Sequence, residues 1–147
     1  MQNGWNRSVD EASLAALVHD IGQIALVALG ERFENQYRQL RSEGLYPVEI
    51  EQRLCGLSHA EIGADLLSDW HFPGDLVEAV RYHHSPSRSR SALAGVLYIA
   101  ESWADSHEDV YGIAEHSHAL KRLRLDSANF FVNKRSDPDV HLLRFAA

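Results

Sequence analysis

Nearly every segment before residue 125 places apolar residues three and four positions apart, the spacing of helices that bury one face. The pattern predicts an all-α fold of about six to eight short helices in a single bundle. Ser8-Val9-Asp10-Glu11 has the form of a capping box, so a first helix is expected from there to about Leu29, with Gly30 as its left-handed cap. A polar, amphipathic second helix is expected from about Arg32 to Glu43, ended by Gly44. Pro47 opens a third that stops at Cys55-Gly56, and Ser58-His59-Ala60-Glu61 is a second capping box opening a fourth helix to about Trp70. After the turn residues Phe72-Pro73-Gly74-Asp75, a fifth helix is expected from Leu76 to His84, ended by Ser85-Pro86. A basic, serine-rich loop spans Ser85 to Ser91. A sixth helix from about Ala92 to Asp105 carries Leu93, Val96, Leu97 and Ala100 on one face, and a seventh runs from about Ile113 to Leu123. The helical domain is therefore placed at residues 1–125. Residues 126–147, with the apolar cluster Asn129-Phe130-Phe131-Val132, read as a tail or docked extension.

Composition narrows the function. With 147 residues and 45% hydrophobic content, the chain suits one domain with its own core. Its 14 basic and 21 acidic residues give a net charge of −7, which disfavours nucleic acid or an anionic membrane as partner. The single cysteine, Cys55, has no internal disulfide partner and no flanking base; it reads as a packing residue of a cytoplasmic protein. Met1 to Arg7 is polar, unlike a signal peptide. Leu14 to Leu29 spans 16 residues interrupted by His19, Asp20 and Gln23, which describes a buried core helix rather than a membrane span. Trp70, Phe72 and Tyr82 are expected in the core. The acidic stretch around Asp105, Glu108 and Asp109 and the arginines of the serine-rich loop and tail read as solvated surface.

The nine histidines carry the chemical interest, because imidazole ligates metals and titrates near neutrality. His19-Asp20 interrupts a helix that is apolar almost all round, so the Asp20 carboxylate must be paired, coordinate a metal or become protonated. His59, His83 and His84 fall at expected helix ends, where sites gather. Each also has a local reading, His59 as a cap and His84 as a partner of a helix C-terminus. On a continuous helix, His83 and His84 point about 100° apart, so they are not expected to face one ion centrally, though they could serve two ions or divide into ligand and support; the His83-His84 end is expected to converge with His19, Asp20 and His59 on one central polar pocket. Gly22 and Gly63 each cost about 1 kcal/mol inside a helix relative to Ala, which points to a close helix approach near His19 and His59.

The run Leu17-Val18-His19-Asp20-Ile21-Gly22, the segment from His59 through Gly63 to Trp70-His71-Phe72-Pro73, and Val80-Arg81-Tyr82-His83-His84 together resemble the HDOD family, the HD-related output domains of bacterial signalling. The resemblance covers about residues 12 to 106. It implies the all-helical HD fold and a catalytically degenerate relative of metal-dependent phosphohydrolases. By the same resemblance His19, Asp20, His59, His83 and His84 match metal-ligand positions. Three departures stand against activity. The short stretch before the His-Asp helix leaves no room for the family's preceding helices, so the chain looks like a domain lacking them. Glu101 stands where active relatives carry Asp. Gln23 stands where the HD-GYP phosphodiesterases carry Lys, and Ser85-Pro86-Ser87 replaces their Gly-Tyr-Pro.

The expected function is a non-catalytic signal-transduction module acting through protein contacts, with an adjacent sensor or receiver domain or another protein as partner and no cofactor. A homo-oligomer is compatible with this reading. The alternative is a phosphohydrolase holding one or two divalent metals (Mn, Fe, Ni, Zn or Mg) and acting on a phosphoester or nucleotide.

Overall fold

A computed structural model describes residues 3–104 and 113–124; the tail expected at 126–147 and the acidic stretch from Asp105 to Asp109 lie outside the described residues. The fold is all-α, as expected. Its helices are α1 (Asn3–Val18), α2 (Gly22–Val27), α3 (Glu31–Ser42), α4 (Pro47–Cys55), α5 (His59–Asp69), α6 (Gly74–Arg81), α7 (Ala92–Ala104) and α8 (Ile113–Arg122), with a 3₁₀ turn at Pro86–Arg88. Among the described residues no single helix is long and apolar enough to cross a membrane.

The centre of the bundle is built largely from small side chains. Ala15 of α1, Ala64 and Leu67 of α5, Leu76, Ala79 and Val80 of α6, and Ala94 and Leu97 of α7 form one buried cluster. Alanine at four of these positions lets helix axes approach closely, and Phe72 and Tyr82 close the margin. Tyr98 and Ile99 of α7 make a second cluster with Ala119 and Leu120 of α8. Helix α3, by contrast, packs on α4 and buries no residue.

The punctuation around α4 and α5 behaves as its chemistry dictates. Pro47 takes the first helical turn of α4, where its missing N–H costs nothing, and Gly56 ends the helix at φ +81°. Ser58 and Glu61 form the reciprocal cap of α5: the Ser58 hydroxyl accepts the Glu61 N–H at 3.3 Å, and Glu61 Oε2 accepts the Ser58 N–H at 2.9 Å.

Elsewhere the structure corrects the sequence reading. Ser8-Val9-Asp10-Glu11 lies inside α1, which begins at Asn3, rather than at a helix start. The single helix expected to Leu29 is two helices. Its backbone tightens between Val18 and Gly22, where Ile21 N–H bonds to Val18 O at 3.1 Å and Gln23 N–H to Asp20 O at 2.9 Å, three residues back rather than four. Helix α6 stops at Arg81, leaving His83 and His84 in a turn closed by Ser85 N–H to Tyr82 O at 2.9 Å. Trp70 is 57% exposed rather than in the core, and Cys55 is exposed, its thiol donating to the carbonyl of Glu51.

Two glycines fix where α2 crosses α5. A Cβ built on Gly22 would stand 2.0 Å from the His59 carbonyl oxygen and 2.7 Å from the Gly63 nitrogen, and one on Gly63 would stand 3.1 Å from the Gly22 nitrogen. The backbones touch there, as the interior glycines suggest. This contact sets the distance between the α1–α2 break, which carries His19 and Asp20, and the start of α5, which carries His59.

Candidate metal centre

Three places where helices stop converge. The α1–α2 break presents His19 and Asp20, the first turn of α5 presents His59, and the turn after α6 presents His83 and His84. Ring centroids lie 5.2 Å apart for His19 and His83, 5.4 Å for His59 and His83, 4.8 Å for His59 and His84, and 3.9 Å for His83 and His84. Because α6 has unwound by Tyr82, the adjacent histidines are freed from helical divergence and turn into one pocket. The 100° separation of neighbours on a helix therefore does not apply to this pair, since neither residue lies in α6. Two overlapping groups, His19 with Asp20 and His83, and His59 with His83 and His84, hold their ligating atoms within 4.8 Å of one another.

The orientation of the rings is dictated by what holds their Nδ1 atoms. His19 Nδ1 lies 2.8 Å from the carbonyl oxygen of Ala16, His83 Nδ1 lies 2.6 Å from that of Val80, and His59 Nδ1 lies 2.7 Å from Glu51 Oε2. Carbonyl and carboxylate oxygens only accept, so each Nδ1 carries and donates a proton. In the neutral ring, Nε2 is then the lone pair. All three Nε2 atoms surround Asp20: His19 at 3.5 Å from Oδ2, and His59 and His83 at 3.3 and 3.8 Å from Oδ1. His83 is fully buried, and its Nε2 and Asp20 Oδ1 are buried without a well-formed hydrogen bond.

Lone pairs gathered around a carboxylate repel unless positive charge sits among them. Transition-metal bonds of about 2.1 Å place neighbouring ligands about 3.0–3.4 Å apart, and the imidazole nitrogens stand 3.3–3.8 Å from the Asp20 oxygens. Carbonyl or carboxylate support behind the ligating imidazole is also the arrangement that fixes metal-binding tautomers. The residues fit a divalent transition metal.

Without an ion, one proton supplies the positive charge. Burial works against a charged His59, but Asp20 and Glu51 outweigh it and push its pKa up to about 9. Burial pushes Asp20 up, yet the contact with His59 and the neighbouring histidines hold its carboxyl below the usual range. Burial takes His83 down to about 4, and burial together with the charge of its neighbours takes His84 far below the ordinary range. His84 Nε2 stands 2.8 Å from His59 Nε2 and its Nδ1 faces Glu101 Oε2 at 3.7 Å, so Glu101 approaches the cluster through His84.

The sequence reading missed Glu51. Its side chain is 4% exposed, and Oε2 also accepts the His59 backbone N–H at 2.8 Å. The available signal was position: Pro47, Ile50, Glu51 and Leu54 fall on one helical stripe, and Glu51 is its charged member. Gln23, by contrast, is exposed and lies outside the cluster. Three arginines near the turn have other employment. Arg81 pairs with Asp65, Arg88 lies over the Tyr82 ring at 5.4 Å, and Arg122 donates to the carbonyls of Ser89 and Arg90.

Comparison with known proteins agrees with this architecture. A protein of Treponema pallidum (strain Nichols), described as an "Uncharacterized protein", is 22% identical over 78 residues, covering 52% of this chain and 15% of that protein. The crystal structure of a "Putative phosphohydrolase from Shewanella amazonensis SB2B" superposes with a TM-score of 0.65 at 24% identity, covering 88% of this chain and 51% of that one, a likeness of fold. The chain thus spans about half of its structural neighbour and a small part of the curated relative. The HDOD domain family model matches residues 2–86, a stretch that holds all five converging residues, and the chain belongs to the HDOD family.

Proposed function

We propose that this HDOD domain is a metal-holding signalling module, in which His19, Asp20, His59 and His83 bind one divalent transition metal and thereby tie the α1–α2 break to α5 and to the turn after α6. The observation that carries the reading is the set of three imidazoles whose Nδ1 atoms are each engaged, leaving three Nε2 atoms around the Asp20 carboxylate, those of His59 and His83 at Oδ1 and that of His19 at Oδ2. Imidazole ligands favour Mn, Fe, Ni or Zn over Mg. The ligands sit on three separate helix ends, so occupancy bears on the relative placement of those helices, which an adjacent sensor or receiver domain or a partner protein can read.

Phosphoester hydrolysis is the second reading. Asp20 is 40% exposed, which gives the centre a solvent side, and a bound metal would supply an activated water there. It ranks second because Arg81, Arg88 and Arg122 are engaged with Asp65, the Tyr82 ring and loop carbonyls rather than aimed at a phosphate.

Elemental analysis of the purified chain, combined with thermal melting, tests the first reading. Near one transition-metal ion per chain is expected, with a lower Tm in chelator and no chelator sensitivity in Asp20→Asn. A metal-free chain whose melting is unmoved by added Mn, Fe, Ni or Zn overturns it. Metal-dependent turnover of bis(p-nitrophenyl) phosphate, lost in Asp20→Asn, would promote the second reading over the first.

A further inference from the structure

Glu51 has a second environment. It lines a cleft of about 370 Å³ bounded by α2, α3 and α4, within the range of about 300–1,000 Å³ usual for small-molecule sites. Leu26, Val27 and Pro47 supply apolar wall, and the Phe33 and Tyr37 rings, with centroids 5.9 Å apart, stand side by side on α3. The charged lining residues are Glu34 and Glu51, and no Lys, Arg or His lines the cleft.

Burial and the Glu51 carboxylate push the Tyr37 phenol up against the opposing Arg41 guanidinium, which lies outside the cleft lining, so Tyr37 is within electrostatic reach of Glu51. Glu34 is paired with Arg38 one turn along an exposed helix face, a solvated pair that a ligand can displace. Glu51 has Oε2 committed to His59 and is otherwise desolvated. Aromatic faces beside carboxylates attract cations, and the same carboxylates repel phosphates and other anions.

We propose that the cleft is a binding site for a small organic cation, an ammonium or amidinium on an apolar or aromatic body, with the cationic group directed to Glu51 and Glu34 and the body against Phe33, Tyr37 and Leu26. The site is distinct from the metal centre, and the proposal does not rest on metal binding. The two share Glu51.

The test is a chemical-shift titration of the isotope-labelled full chain with phenethylammonium, run beside phenethyl alcohol and phenylacetate as neutral and anionic counterparts, on both metal-loaded and chelator-treated protein. Saturable shifts are expected at Gln23, Phe33 and Tyr37 with the ammonium, about tenfold weaker binding of the alcohol, and none of phenylacetate. Val27 is 79% exposed at the rim, so Val27→Arg keeps the fold and places a positive charge at the mouth. It should weaken the ammonium about tenfold. Equal binding of the alcohol, undiminished binding to Val27→Arg, or no saturable shift overturns the proposal. Ammonium binding to a chain that takes up no metal when Mn, Fe, Ni or Zn is added would sustain the cleft while removing the metal reading.

Discussion

Glu51, eight residues before His59, gives that ring its orientation and its charge. Replacing it by Gln keeps an acceptor for Nδ1 and removes the negative charge, so Glu51→Gln should leave the fold intact and weaken metal affinity about 10- to 100-fold, the usual range for a residue supporting a ligand. Isothermal titration with Zn²⁺ measures this, and an unchanged constant would show that Glu51 merely packs. At this scale the sequence was legible where chemistry conflicts with surroundings. Asp20 in an apolar run demanded a partner, and the structure places three imidazoles around it. Glu51 escaped notice because a carboxylate on a short helix is ordinary until α5 folds over it. Trp70 escaped because an aromatic residue beside a helix end reads as core, yet here α5 ends with that ring outward.

Among the elements, the α2–α5 crossing is the most sensitive to single atoms. A methyl group at Gly22 meets the His59 carbonyl at 2.0 Å and must push two backbones apart, whereas one at Gly63 meets the Gly22 nitrogen at 3.1 Å and the flexible Ile21 side chain at 3.2 Å. Gly22→Ala should therefore cost about 3 kcal/mol and Gly63→Ala about 1 kcal/mol, with Gly22→Ala also losing metal because His59 is displaced. Denaturant melts of the two variants check the order, and equal losses would contradict it. Helices α4 and α5 could be read from Pro47, Gly56 and the Ser58–Glu61 cap because local chemistry alone sets their ends. The break after Val18 could not. Its residues tolerate a helix, and the tightened turn is imposed by the need to seat Gly22 against α5.

For the molecule as a whole, the segment after His84 is held by polar links more than by core. Glu78 accepts the Arg90 N–H and, at 3.2 Å, the Ser89 hydroxyl; Glu115 accepts the Ser87 N–H at 2.9 Å; and Arg122 donates to two loop carbonyls. The Arg90 N–H, helped by Ser89, holds the Glu78 carboxyl below its ordinary value. Since the folded value is the lower one, the stabilisation is fully present above the unfolded value and is lost as pH falls through the folded value. Amide exchange of Arg90, corrected for its intrinsic pH dependence, should accelerate over that acidic range, and Glu78→Gln should flatten the response. Exchange that follows the intrinsic rate alone would show that the loop does not depend on Glu78.

The placement of the centre on three helix ends also bears on how the protein matures. The candidate ligands come from chain segments far apart in sequence, brought together by the packing of α1, α5, α6 and α7 around their alanine-rich interior. A metal arriving early finds no site to organise, in contrast to a zinc finger, whose neighbouring ligands let the ion direct folding. If the proposed ion is held there, its loading is an insertion into a finished scaffold, and cells starved of metal should still accumulate the folded, ion-free form.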